Sequence, residues 1–220
     1  MVIHVTNGTI RFIQPGLELI TLDPKRSATI IGPGAFADDE TLRAVGQRLA
    51  ADVGAWNQLA CCAARVVFAV SGTNPEGLKR LEALAAYAYD AMLRLPAHIS
   101  TAARRYDLEL AQNIKSIRST PDFYRIVGGR DGEGAFIVSQ TPDPVDFYTM
   151  LSGRTANLIP IDDVSDAFAF MNSYTQTVGI YPDSLKAELR DILPFYGAQR
   201  QVNLGYANYG SSAGAAAGCH

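Results

Sequence analysis

Asp52-Val-Gly-Ala-Trp-Asn-Gln-Leu-Ala-Cys-Cys-Ala-Ala-Arg-Val-Val-Phe-Ala-Val70 joins a helix to a strand, and the fold is built outward from that junction. Its first part continues a helical pattern into Asn57-Gln58. Two adjacent cysteines, Cys61 and Cys62, follow. Arg65 to Val70 is then a β-branched, apolar run suited to a buried strand. A thiol at such a junction lies where local dipoles and backbone N–H groups can favour its charged, nucleophilic form. The same pair also suits two small side chains packed in a core in the manner of alanine. Spacing leaves both open.

The neighbouring segments alternate between strand and helix. Short strands are expected over 17–22 and 28–31, around the Asp23-Pro24 turn. Asp38-Asp39-Glu40 opens a helix with acids in its first turn, where the helix dipole favours them, and Leu42, Val45, Leu49 and Val53 recur at helical spacing. After a loop over 71–77 a long amphipathic helix is expected over 78–95, stopped by Pro96, with another over 102–116. Strands over 123–127 and 135–138 flank a glycine-rich run, Gly128 to Gly134. That run leads into a strand and not a helix, so it is a hairpin turn and not the phosphate-binding turn of a dinucleotide site. A strand over 157–161, a helix over 164–172, a strand over 178–181, a helix over 183–193 capped by Asp183 or Ser184, and a last strand over 198–204 complete the series. The alternation predicts a three-layer αβα domain with a mostly parallel sheet.

The spacing Gln58-x-x-Cys61, followed by small residues and Arg65-Val-Val-Phe68, resembles the active-site segment of the aldehyde dehydrogenase superfamily. The form Asn57-Gln58-x-Ala60-Cys61 is most similar to its acyl-CoA reductase branch, which includes the long-chain fatty acyl-CoA reductases of bacterial luminescence. Ile20-Thr-Leu-Asp-Pro-Lys25-Arg-Ser-Ala-Thr-Ile-Ile31 resembles the strand–turn–strand before the catalytic helix. Gly153-Arg-Thr-Ala-Asn-Leu-Ile-Pro-Ile161, with Asp162-Asp163 opening a helix, resembles the segment near the cofactor. Gln201-Val-Asn203-Leu-Gly205 resembles the late strand lining the acyl pocket.

The resemblance implies an aldehyde-dehydrogenase-like catalytic domain. In it Cys61 attacks an acyl-CoA thioester, Asn57 and Gln58 flank the nucleophile, and NADPH reduces the thioacyl-enzyme to an aldehyde. It implies a place near the cofactor for Arg154, and an oxyanion donor in the Cys61 backbone N–H. In the broader superfamily the nucleophile stands five residues before the arginine, a place taken here by Ala60. One gap restores Cys61, and Cys62 remains the alternative. The general base of the hydrolytic dehydrogenases would fall at Thr21 or Leu22, neither of which takes a proton. That departure suits thioester reduction, which activates no water. The superfamily's cofactor domain lies mainly N-terminal to the catalytic one. The expected organisation is therefore a lead-in over 1–16, a catalytic domain over 17–205 and a Gly/Ala/Ser-rich tail over 206–220. The whole would be the catalytic portion of a longer enzyme, with NADPH held mainly elsewhere.

Composition sets further bounds. A chain of 220 residues with 48% hydrophobic and 19% charged residues can bury a sizeable core. A net charge of −3 gives no basic footprint for nucleic acid. The sequence has no apolar run near the roughly 18 residues that span a bilayer, and its first residues do not resemble a signal peptide. Three cysteines, two adjacent, are no disulfide framework and fit a reducing cytoplasm. His4, His98 and His220 lie in no ligand pattern, and no metal is expected. Lys25, Arg26, Arg65 and Arg154 are candidates for the phosphates of CoA or NADP, or else solvated or structural cations. Tyr87, Tyr89, Phe168 and Phe170 suit packing. Three readings stand: an acyl-thioester reductase, a non-catalytic truncated or scaffold domain of the same fold, and an ordinary aldehyde dehydrogenase. A homo-oligomer fits any of them.

Overall fold

The computed structural model describes residues 25–102, 107–130 and 132–209. The segment around Asp52–Val70 occupies its centre. Strand β1 (Arg26–Ile31) lies between β2 (Ala64–Ala69) and β6 (Thr175–Tyr181), both parallel to it. Outward from β2 come β5 (Thr155–Pro160) and β4 (Ala135–Ser139), again parallel, and then β3 (Tyr124–Gly128). Outward from β6 comes β7 (Arg200–Asn203). Only the β3–β4 hairpin is antiparallel within this seven-stranded sheet, with Gly128 opposite Ala135. The glycine run is thus the expected hairpin turn.

Two helices cover one face. Helix α1 (Asp39–Gly54) starts where the Asp38 carboxylate accepts the Thr41 N–H at 2.7 Å, and Asp39 and Glu40 occupy its first turn. Leu42, Val45, Leu49 and Val53 are all buried, as their spacing predicts. Helix α2 (Pro75–Leu93) is capped by Asn74, which accepts the Gly77 N–H at 2.9 Å. The two helices approach closely at Gly46, where a Cβ would stand 2.9 Å from that of Tyr87. Leu81, Leu84, Phe136 and Leu158 join this core. Full burial of each such side chain contributes about 1.5–3 kcal/mol.

The opposite face carries a 3-10 segment (Val164–Phe170), helix α4 (Asp183–Leu189) and a second 3-10 segment (Leu193–Tyr196). They pack on Ile30, Phe68, Ile159 and Ile180. Helix α3 (Leu108–Ile117) sets Leu110 and Ile114 against Ala135 and Ile137. The result is the expected three-layer αβα arrangement.

Several boundaries differ from expectation. The helix over 164–172 is a 3-10 segment, started by an Asp163 capping box with Asp166. The helix over 183–193 stops at Leu189, and its N-cap is Pro182, with no side-chain cap from Asp183 or Ser184. The helix over 102–116 runs from Leu108, capped by Asp107. The strand over 17–22, the base position at Thr21 or Leu22, His4, His220 and most of the 206–220 tail lie outside the described residues.

Because the central strands are parallel, their N-terminal ends gather at one end of the sheet. The two cysteines precede β2 at that end, beside the loops that lead into β5 and β6.

Candidate active site

The helix does not run into Asn57-Gln58. It ends at Gly54, and the chain then turns through three consecutive left-handed residues, Trp56, Asn57 and Gln58, with φ of 54°, 55° and 61°. Asparagine tolerates this region, whereas tryptophan and glutamine are strained there. The two strained residues cost roughly 2–4 kcal/mol. Hydrogen bonds offset that cost. The Trp56 N–H donates to Ile99 O at 2.9 Å. Asn57 accepts the Thr101 N–H at 2.7 Å and donates to its hydroxyl at 3.3 Å. Gln58 is buried, 1% exposed, and its amide is fully used. Nε2 donates to Ala64 O at 2.7 Å and Thr155 O at 2.8 Å, while Oε1 accepts the Thr155 N–H at 2.9 Å. At about 1 kcal/mol each these bonds are comparable to the strain they hold. The Gln58 amide thus ties the turn to β2 and β5, and the Asn57 amide ties it to the loop at Thr101.

The cysteines are seated by two further anchors. The Ser27 hydroxyl donates to Cys61 O at 2.8 Å and accepts the Thr177 N–H at 3.1 Å, tying the turn to β1 and β6. Arg65 donates to Gln58 O at 3.3 Å, Ala63 O at 3.2 Å and Leu151 O at 3.0 Å, closing the turn against the loop before β5. Burial, and then the like charge of Arg26, hold the Arg65 guanidinium below its ordinary range. The sulfurs of Cys61 and Cys62 act in the opposite sense on it, so the guanidinium field reaches both thiols. Cys61 is half-exposed. Cys62 is buried, and its thiol donates to Asn208 Oδ1 at 3.5 Å.

Beside the turn, at the N-terminal ends of β1, β2 and β6, lies a cavity of about 220 Å³. Ser27 and Arg65 line it together with Arg26, Phe68, Tyr148 and Phe170. It is smaller than most complete ligand pockets. Arg154 is elsewhere. It is 4% exposed, at φ 66°, donating to Ser100 Oγ at 3.2 Å and to Glu133 O. That side chain braces the β4–β5 end of the sheet and does not reach the cavity. His98 is exposed, and no group of histidine, cysteine and acidic residues fit for a metal occurs among the described residues.

One functional candidate was missed in the sequence. Asp52 is 1% exposed, and burial pushes its carboxyl up to about 6, against the pull of the Gly205 and Ala207 N–H groups and of Arg200. It shares the phase of the buried positions on α1, standing three residues after Leu49 and seven after Val45. An acid in the apolar stripe, at the helix end where the dipole disfavours it, was the available signal.

The topology and the thiol-bearing turn place the chain among proteins with the aldehyde dehydrogenase fold. It is similar to an indole-3-acetaldehyde dehydrogenase from P. syringae (TM-score 0.57, 15% identity, covering 85% of this chain and 39% of that one). It is also similar to an NAD-dependent benzaldehyde dehydrogenase from Corynebacterium glutamicum (TM-score 0.55, 12% identity, 91% and 45%), and to an NADP-dependent glyceraldehyde-3-phosphate dehydrogenase from Bacillus halodurans (TM-score 0.53, 13% identity, 80% and 38%). The chain belongs to the family described as Acyl-CoA reductase (LuxC), whose profile matches residues 9–220. A long-chain acyl-protein thioester reductase from Aliivibrio fischeri is 23% identical over 200 residues, and the chain spans 90% of its own length but 39% of that relative.

Proposed function

We propose that this chain supplies the thiol-bearing catalytic domain of an NADPH-dependent reductase that converts an acyl-CoA thioester to an aldehyde through a thioacyl-Cys61 intermediate. The observation that carries the proposal is the seating of Cys61. It is half-exposed on a turn anchored from three sides by Ser27, Gln58 and Arg65, in the field of a guanidinium, and two of those anchors, Ser27 and Arg65, also line a cavity of mixed polar and apolar walls. Family membership supports the reaction class.

The Cys61 thiolate attacks the thioester carbonyl, a new C–S bond forms, and CoA leaves with the old sulfur. Arg65 favours the thiolate before attack, and Phe68, Phe170 and Val66 exclude water from the acyl end. A nicotinamide cofactor, when bound, supplies the hydride that reduces the thioacyl carbon. Cys61 then departs as the leaving group, and the aldehyde is released. Tyr148 and Tyr174 on the cavity wall would be the residues to hold the reacting end of such a cofactor, and a cavity of about 220 Å³ would not hold a whole dinucleotide. The remainder falls to a domain outside these residues, in keeping with the 39% of the relative that the chain spans.

Incubation of the full-length protein with a fatty acyl-CoA, followed by peptide mass mapping, tests the proposal. An acyl adduct on Cys61 is expected in the wild type and in Cys62→Ser, and its loss in Cys61→Ser. An adduct that persists in Cys61→Ser and vanishes in Cys62→Ser overturns the assignment.

A further inference from the structure

We propose that Asp52 is a positioning residue that acts through the segment after β7 to hold Cys62 as a hydrogen-bonded thiol, leaving Cys61 as the reacting one of two adjacent cysteines. The inference rests on the thioacyl reading above and assigns the origin of its selectivity. The Asp52 carboxylate accepts the Gly205 N–H on Oδ2 and the Ala207 N–H on Oδ1, both at 2.8 Å. These two bonds fold the chain back over the last turn of α1. Arg200 secures the same segment from β7, donating to Ala207 O at 3.1 Å and to Tyr209 O. The fold-back brings Asn208 to the cysteine turn. Its Nδ2 donates to Ala51 O and Asp52 O, each at 3.3 Å, which fixes the amide so that Oδ1 faces Cys62 Sγ at 3.5 Å.

An amide oxygen is an acceptor only. It stabilises a thiol that donates to it and repels a thiolate. Cys62 is also 7% exposed, and burial disfavours its charged form. Two neighbouring thiols in the field of one guanidinium are thereby made unequal. Cys62 is kept protonated by Asn208, and the cationic field of Arg65 acts on Cys61.

Two N–H donors require an acceptor on each carboxylate oxygen, and an amide at position 52 offers only one. Among the described residues the charge acting on Asp52 is that of Arg200 on β7. β1 and β6 present the uncharged Thr29 and Gly179. Arg48 lies one turn earlier on α1, against Gly205, and the fold-back itself carries Tyr206 and Tyr209.

The test is iodoacetamide labelling of the intact protein, mapped by peptide at Cys61 and Cys62, with each rate divided by that of the denatured protein at the same pH. At pH 7.5 the Cys62 ratio should rise about fivefold in Asp52→Asn and in Asn208→Ala, the factor for one ordinary hydrogen bond. The Cys61 ratio should stay unchanged in both variants, a selectivity that a merely structural loosening of the fold would not give. An unchanged Cys62 ratio in Asn208→Ala, with the protein folded by circular dichroism, overturns the inference. So does an equal rise of the Cys61 and Cys62 ratios in the two variants. Failure of Cys61 to accept an acyl group would instead count against the thioacyl reading, since the Cys62 ratios are measured without substrate.

Discussion

Replacing Gln58 by alanine should destabilise the protein far more than its position beside a nucleophile suggests. Three hydrogen bonds of the amide are lost, at 2.7, 2.8 and 2.9 Å, at about 1 kcal/mol each. The Thr155 N–H is then left buried without its acceptor, which adds about 1–3 kcal/mol. The turn also keeps its three left-handed residues without the bonds that hold them. A loss of about 4–6 kcal/mol follows, a large part of the roughly 5–15 kcal/mol of a typical domain. Gln58→Glu should be nearly as damaging, because a carboxylate oxygen would face Ala64 O and Thr155 O where Nε2 now donates. Asn57→Ala, whose partners sit at the surface, should lose about 1–2 kcal/mol. Urea unfolding followed by circular dichroism measures all three. If Gln58→Ala unfolds within about 1 kcal/mol of the wild type, the amide does not hold this turn, and a direct role towards substrate would have to be considered again.

Arg65→Met removes two bonds to the turn, one to Leu151 and the guanidinium field, so Cys61 should alkylate about tenfold more slowly at neutral pH, read as an iodoacetamide rate. Asp52 has a folded-state pKa raised from 3.8 to about 6, so its contribution to stability is fully present below about 4 and is lost as pH rises through 6. Relative to Asp52→Asn, the wild type should lose up to about 3 kcal/mol between pH 4 and 7 by urea titration, and a constant difference would contradict the raised value. Gly77→Ala places a Cβ 2.3 Å from Ser71 O and 2.4 Å from Gly72 O, both backbone, and should cost about 2–3 kcal/mol by the same unfolding assay.

Much of this was visible in the sequence because it depends on local pattern. The apolar stripe of α1, the β-branched run of β2 and the hairpin glycines each follow from periodicity or turn chemistry, and the structure places them as expected. Asn57 and Gln58 were legible as neighbours of Cys61 but not as its supports. Gln58 bonds to Thr155, 97 positions away, and no local pattern carries that partner. Arg154 was legible as a cation beside a cofactor-like segment, but its surroundings were not. Its burial against Ser100 and Glu133 comes from the packing of separate elements. The ends of the 164–172 and 183–193 segments were misjudged because propensity could not foresee where packing on Phe68 and Ile180 stops. Asp52 alone left a local trace, an acid in an apolar stripe.

The central claim is that an acyl group rests on Cys61 until a reductant arrives. Full-length protein incubated with a radiolabelled fatty acyl-CoA should retain label on Cys61 after the substrate is removed. Adding NADPH should then discharge that label as fatty aldehyde in a single turnover. Rapid release of free fatty acid without cofactor would contradict the account and restore a hydrolytic dehydrogenase.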